Sequence, residues 1–282
     1  MLYFSLIFVA RFDPVARRSM LFAPLIAIGV FLIALSSYRL IENHLEGTAA
    51  RAEYQELRDI FEMIAIMHHP LPQAPEIHSD GQPELPDAVM TAEHATPLPD
   101  MLQGLEGLED PMETLRQINP DLIGWIRIEN LINYPIVQGR DNSRYLNTTF
   151  QGRRNASGAI FMDYRNSSVF DDEVSIIYGH NMRNGSMFAP LHRLRDPAFL
   201  AEHQYIRIIL SAQETLVYRI VAARVVNVWY TVNDPTQLTA AAVAGSVRGA
   251  PSGTQRFLIL STCTNVDDDE RLRIYAALIE PY

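Results

Sequence analysis

The chain has 282 residues, is 48% hydrophobic and carries a formal charge of -10, which gives it room for one large domain or two small ones around a sizeable core. The acidic balance argues against a nucleic-acid partner, because phosphate binding needs a basic face and the globular half has no arginine cluster. All 23 basic residues are arginine, so no lysine amine can form a Schiff base, and the single cysteine excludes an internal disulfide framework or a multi-cysteine zinc site.

Residues 1–18 hold a short apolar run followed by Arg11, Arg17 and Arg18, and read as a cytoplasmic N-terminus. No charge occurs from 19 to 38. At about 1.5 Å per helical residue, that stretch spans about 30 Å, the hydrocarbon thickness of a bilayer. The run is long and lacks a clear small-x-small cleavage site before Tyr38 and Arg39, so it reads as a retained transmembrane anchor rather than a signal peptide. The excess of arginine before it places the rest of the chain outside the cell.

Residues 39–69 form the expected membrane-proximal helix, in which Tyr54, Leu57, Phe61, Ile64 and Ala65 fall near one face. Residues 70–111 hold eight prolines and little apolar periodicity, the composition of a linker. His68, His69, His78 and His94 lie in or beside it without ligand spacing and read as solvated.

From 112 to 282 the chain reads as one mainly β domain. Asp110-Pro111 opens a short helical pattern through Gln117. Short apolar runs then follow at 123–128, 134–137, 159–162, 174–178, 205–210, 216–230, 257–261 and 272–278, separated by Asn, Asp, Gly and Ser. Helical patterns at 142–147, 187–195 and 235–248 interrupt them, and the sum suggests a closed β-barrel with short helical insertions.

The chemistry centres on Cys263, at the end of one strand, with Arg271 eight positions on at the start of the next. A hairpin return would bring a permanent positive charge toward the sulfur. By itself a free cysteine is more often a small buried hydrophobe. His180 follows the run 174–178 and is also at a strand end, with Gly179 admitting backbone that a larger residue would crowd. A thiol, an imidazole and a guanidinium are the types that acyl transfer uses: a nucleophile, a proton carrier and an oxyanion donor.

These residues sit in motifs that resemble those of class B sortases. Leu260-Ser261-Thr262-Cys263 looks like the cysteine signature, with Ile259 where the family has threonine; Tyr178-Gly179-His180 looks like the histidine strand end, and Arg271-Leu272-Arg273-Ile274 like the arginine-led final strand. Asn119-Pro120-Asp121, Gly124-Trp125-Ile126, Tyr134-Pro135-Ile136-Val137-Gln138, Asp141-Asn142 with Tyr145-Leu146, Gly158 through Asp163, and Gly179 through Phe188 add matches in order. The resemblance covers about residues 112–280. It implies a sortase-like barrel and a cysteine transpeptidase of the thiol-protease type that cleaves a sorting signal after threonine. Catalysis would fall to Cys263 as nucleophile, His180 as acid and base, and Arg271 as oxyanion donor, with Arg273 the weaker match. It further implies substrate contacts at Asn142, Leu146, Ser261 and Thr262, no metal or organic cofactor, and sorting-signal-bearing secreted proteins as partners. The acceptor would be an amine of a peptidoglycan precursor or a pilin. A membrane-anchored cysteine peptidase and a non-catalytic surface-assembly scaffold are the alternatives, although papain-like enzymes place cysteine before histidine and no caspase-type Gln-Ala-Cys occurs.

Overall fold

The computed structural model describes residues 14–68 and 110–281 except 230, 248 and 265; side chains at 14–26, 43, 66–68, 280 and 281 fall outside that description. Most of the expected linker, His68's side chain, and His69, His78 and His94 therefore lie outside the described residues.

Helix α1 spans Pro14–His68 and so includes residues of both the expected anchor and the expected membrane-proximal helix. Its residues to Thr48 belong to one compact unit, and Ala49 onward belongs to a second unit with the rest of the chain. Among the described residues no helix is long and apolar enough to cross a membrane. The first eight residues of the expected span at 19–38 are described as helical backbone without side chains.

In the second unit, α2 (Pro111–Ile118) starts at Asp110, whose carboxylate accepts the Met112 N–H at 2.8 Å. Eight strands follow: β1 (Leu122–Ile128), β2 (Ile132–Val137), β3 (Ile160–Met162), β4 (Val174–Tyr178), β5 (Tyr205–Ser211), β6 (Glu214–Asn227), β7 (Phe257–Cys263) and β8 (Glu270–Pro281). They close into a barrel in the order β1-β2-β3-β4-β7-β8-β6-β5, with β1 pairing β5 to complete the ring. Closure leaves the barrel no open sheet edge. The insertions are α3 (Pro197–Glu202), α4 (Ala240–Ser246) and 3₁₀ turns at Arg144–Leu146, Ala189–Arg195 and Pro235–Gln237.

Two clusters of apolar side chains explain why β7 reads as an unbroken hydrophobic run. Alternate residues of a strand face opposite ways. Leu258 and Leu260 join Leu272, Ile274 and Ala276 in the main core. Phe257 and Ile259 join Val174, Ile176 and Tyr275 in a second cluster with Ala240, Val243 and Val247 on and beside α4. A strand covered on both faces keeps no polar alternation.

The α1 segment beyond Thr48 lays its apolar face onto the main core through Tyr54, Leu57, Ile60, Phe61 and Ile64. Phe61 stacks on the buried Trp125, with ring centroids 4.3 Å apart and planes 14° from parallel. Tyr54 donates to the Gly158 carbonyl at 2.7 Å, and burial followed by the Glu53 charge pushes its phenol well above the usual value. The helix is thus fastened to the barrel and to the loop before β3. Phe61→Ala is expected to cost about 3–5 kcal/mol through the cavity left beside Trp125; urea unfolding of the full chain measures it, and a loss under about 1 kcal/mol would show that this packing contributes little.

Candidate active site

β7 carries the site's geometry because it pairs parallel with β4 on one side and antiparallel with β8 on the other. The β8 register sets Cys263 directly opposite Arg271. The β4 register sets Tyr178 opposite Ser261, and Gly179 N–H continues that ladder to the Ser261 carbonyl at 3.2 Å. His180 therefore leaves its strand beside the residues that precede Cys263. All three end in one cleft of about 240 Å³, whose walls also include Asn142, Leu146, Phe161, Tyr178, Ser261 and Thr262. Cys263 and His180 are half-buried, a state that lets a reactive group reach solvent while rigid backbone holds it.

Each side chain is held by named contacts. His180 Nε2 lies 2.8 Å from the Leu146 carbonyl, which can only accept, so that nitrogen is the donor and Nδ1 is the one left for proton transfer. The Cys263 carbonyl accepts from Asn181 Nδ2 and from His192 Nε2, both at 3.0 Å. Arg271 Nη1 donates to the Asp268 and Glu270 carbonyls at 2.6 and 2.9 Å, and a guanidinium has three further N–H donors on its other nitrogens. Arg273 is only 2% exposed and donates from Nη1 to the Val232 carbonyl and from Nη2 to Asn233, away from the cleft lining.

The Sortase domain family model matches residues 126–279, more than half of the chain. The chain belongs to the sortase family. Its relatives are of class B: sortase B of Listeria monocytogenes is 43% identical over 97 residues, 34% of this chain and 39% of that protein. Sortase B of Staphylococcus aureus is 28% identical over 178 residues, 63% of this chain and 58% of that protein. The chain thus spans between about two fifths and three fifths of the length of these relatives. A class B sortase of Streptococcus pyogenes involved in pilus biogenesis superposes with a TM-score of 0.54 at 28% identity, covering 59% of this chain and 97% of that one.

In this sortase the seven residues singled out by sequence are brought together, though not all as expected. Asn142 and Leu146 both line the cleft, but only Leu146 is in a helical turn, Arg144–Leu146. Asn142 instead follows Asp141, whose carboxylate accepts the Ser143 and Arg144 N–H groups at 2.7 and 2.9 Å. Ser261 and Thr262 line the cleft as well but are only 4% and 2% exposed. Among the described residues no group of three or more His, Cys, Asp or Glu side chains is placed to hold a metal ion.

Asp163 is the site residue that sequence reasoning passed over. Its side chain is 0% exposed. It accepts from Arg165 Nε at 2.8 Å and Nη2 at 2.7 Å, from Asn142 Nδ2 at 2.9 Å and from Tyr178 O–H at 3.0 Å. Burial works to raise its pKa, but these donors and the Arg165 backbone N–H outweigh burial and hold the carboxyl below its usual value. Conversely, burial and then the Asp163 charge push the Tyr178 phenol upward, so it stays a donor at neutral pH. Asn181 and His192, which grip the Cys263 carbonyl, were likewise missed, although Asn181 lies inside the quoted Gly179–Phe188 match.

Two glycines keep this arrangement possible. A Cβ at Gly179 would come within 2.7 Å of the Phe188 ring, and Gly158 has φ +56° with the Leu146 carbonyl 2.7 Å from where its Cβ would be. The latter carbonyl is the one that holds His180. Gly158→Ala is therefore expected to destabilise the fold by about 1–3 kcal/mol and to displace His180; calorimetry and the imidazole NMR shifts check it, and unchanged shifts would refute the coupling. For Asp163 the sign follows from its lowered folded-state pKa. Its contribution is complete above the usual carboxylate value of 3.8 and is lost as pH falls from there through the lower folded value. Asp163→Asn should remove that acid-limb component from urea unfolding midpoints measured across pH; identical acid limbs would contradict it.

Proposed function

We propose that this sortase is a cysteine transpeptidase that takes an extended sorting peptide into the cleft, cleaves it after threonine and passes the acyl group to an amine. The observation that carries the reading is the convergence of Cys263, His180 and Arg271 in one cleft, through two strand registers of β7.

In the first step the Cys263 thiolate attacks the threonine carbonyl carbon, and the carbonyl electrons move onto oxygen. The Arg271 N–H groups not spent on the acidic loop stabilise that oxyanion. As the tetrahedral intermediate collapses, the C–N bond breaks and His180 Nδ1–H protonates the leaving amine, giving a thioester. The acceptor amine then attacks the same carbon, His180 takes its proton, and Cys263 departs as thiolate. No cofactor is needed in this scheme.

The acceptor we favour is an amine of the cell wall or of a pilin subunit, the two routes open to a surface-anchoring enzyme of this class. For location we propose a single-pass membrane protein with its N-terminus in the cytoplasm. The exposed apolar side chains Ile28, Val30, Phe31, Leu32 and Ile33 on α1 support it, together with the arginines that precede them in sequence.

Mass spectrometry of the full chain mixed with threonine-containing sorting peptides should show an adduct on Cys263 whose mass reports cleavage after threonine. Cys263→Ala should abolish it, and His180→Asn or Arg271→Ala should slow its formation by at least about 100-fold. Full peptide cleavage by Cys263→Ala would end the proposal.

A further inference from the structure

The connection between β6 and β7 is bound to the barrel by two arginines, one from the loop after β3 and one from β8. Arg165 forms a 2.7 Å ion pair with the buried Asp163, then reaches outward to Asp234 at 3.1 Å and to the Asn233 carbonyl at 3.2 Å. Arg273, on β8 opposite Ser261, donates to the Val232 carbonyl at 3.1 Å and to the Asn233 side chain. Three consecutive residues, Val232, Asn233 and Asp234, are thus pinned by two guanidinium groups.

The inner end of this clamp reaches the cleft wall. Asp163 spends one oxygen, Oδ2, on Asn142, Tyr178 and Arg165, and the first two line the cleft. The outer end lines a second hollow, about 500 Å³, that Arg165 shares with Trp229 and the pinned residues. A single buried carboxylate therefore joins the cleft wall to the loop. A contact that fixes walls without touching the reacting atoms acts on how peptide is received rather than on the bond-making step.

From this connectivity we infer that Asp163, Arg165 and Arg273 are positioning residues: they hold the 232–234 segment and Asn142 in one arrangement, and so set the affinity of the cleft for its peptide. The inference rests on the transpeptidase reading for its kinetic arm alone. Arg165 is chosen for the first variant because its guanidinium spans the gap from Asp163 to the loop, a reach that methionine cannot replace with hydrogen bonds.

The test uses the full chain and two variants, Arg165→Met and the loop-side pair Asn233→Ala with Asp234→Asn. The second variant leaves Asp163 and its buried partners untouched, and the amide at 234 can still cap the Thr236 N–H. Hydrogen–deuterium exchange should show the backbone of 229–237 exchanging at least about tenfold faster in both variants, with β7 and β8 unchanged. Sorting-peptide kinetics should show KM raised about tenfold with kcat within about twofold. Should Arg165→Met fail to fold, the loop-side variant decides alone. Unchanged exchange at 229–237, or a fall in kcat at constant KM, overturns the inference. A wild-type chain that acylates no peptide would instead defeat the transpeptidase reading, while the exchange result would still judge the clamp.

Discussion

Everything chemical in this molecule depends on the register of β7. In a strand, side chains alternate between faces, so a slip of one residue against β8 would turn Cys263 away from Arg271 and carry Leu260 out of the core. The slip is opposed by burial on both faces: Leu258 and Leu260 are committed to the barrel interior, and Phe257 and Ile259 to the cluster beneath α4. A one-residue displacement would send each set into the cluster shaped for the other. Fully burying a single such side chain is worth about 1.5–3 kcal/mol, so four of them make the register far more costly to change than to keep. The nucleophile's position is thereby set by hydrophobic packing that begins six residues before it.

Beyond the last buried residue a different kind of constraint takes over. Cys263 is half-buried, and apolar packing no longer fixes it, so hydrogen bonds do. Asn181 and His192 hold its carbonyl, Arg271 ties the acidic turn through the Asp268 and Glu270 carbonyls, and Asp267 accepts the Asp269 N–H within that turn. The acidic residues at 267–270 thus have a structural use for their backbone carbonyls and for the Asp267 and Glu270 carboxylates, the latter accepting from the Thr264 hydroxyl. Leu146 contributes in the same manner, through its carbonyl to His180 rather than through its side chain alone.

How much of this was legible depended on how far apart the partners are in sequence. Cys263 and Arg271 are joined by a short loop, so alternation and a turn were enough to place them together. The strands were legible for the same reason, and the barrel followed from their number. Asp163 closes the quoted Gly158–Asp163 match, but its role was opaque: its partners are Asn142, Arg165 and Tyr178, and only the fold brings the first and last to it. Helix α3 was missed although Asp196-Pro197 repeats the Asp-Pro start of α2, with Asp196 capping the Ala198 N–H at 2.9 Å. Its six residues bury no side chain, so it has no apolar stripe to announce it.

The same distinction between packing and polar bonding separates the two kinds of substitution the site can accept. Ile259, which stands where the family signature has threonine, is wholly buried in the outer cluster and pairs with Tyr275. A hydroxyl there would have needed a partner among apolar neighbours, so isoleucine suits a strand covered by α4 and leaves the cleft untouched. Asp163 has no such latitude. Three residues present donors to it, and an amide or alkyl group in its place would leave the Arg165 charge and the Tyr178 hydroxyl competing for acceptors that the surrounding core does not supply. Tolerance in the cysteine motif and intolerance behind the cleft are therefore consequences of one architecture, in which apolar layers set the register and a single buried carboxylate organises the wall.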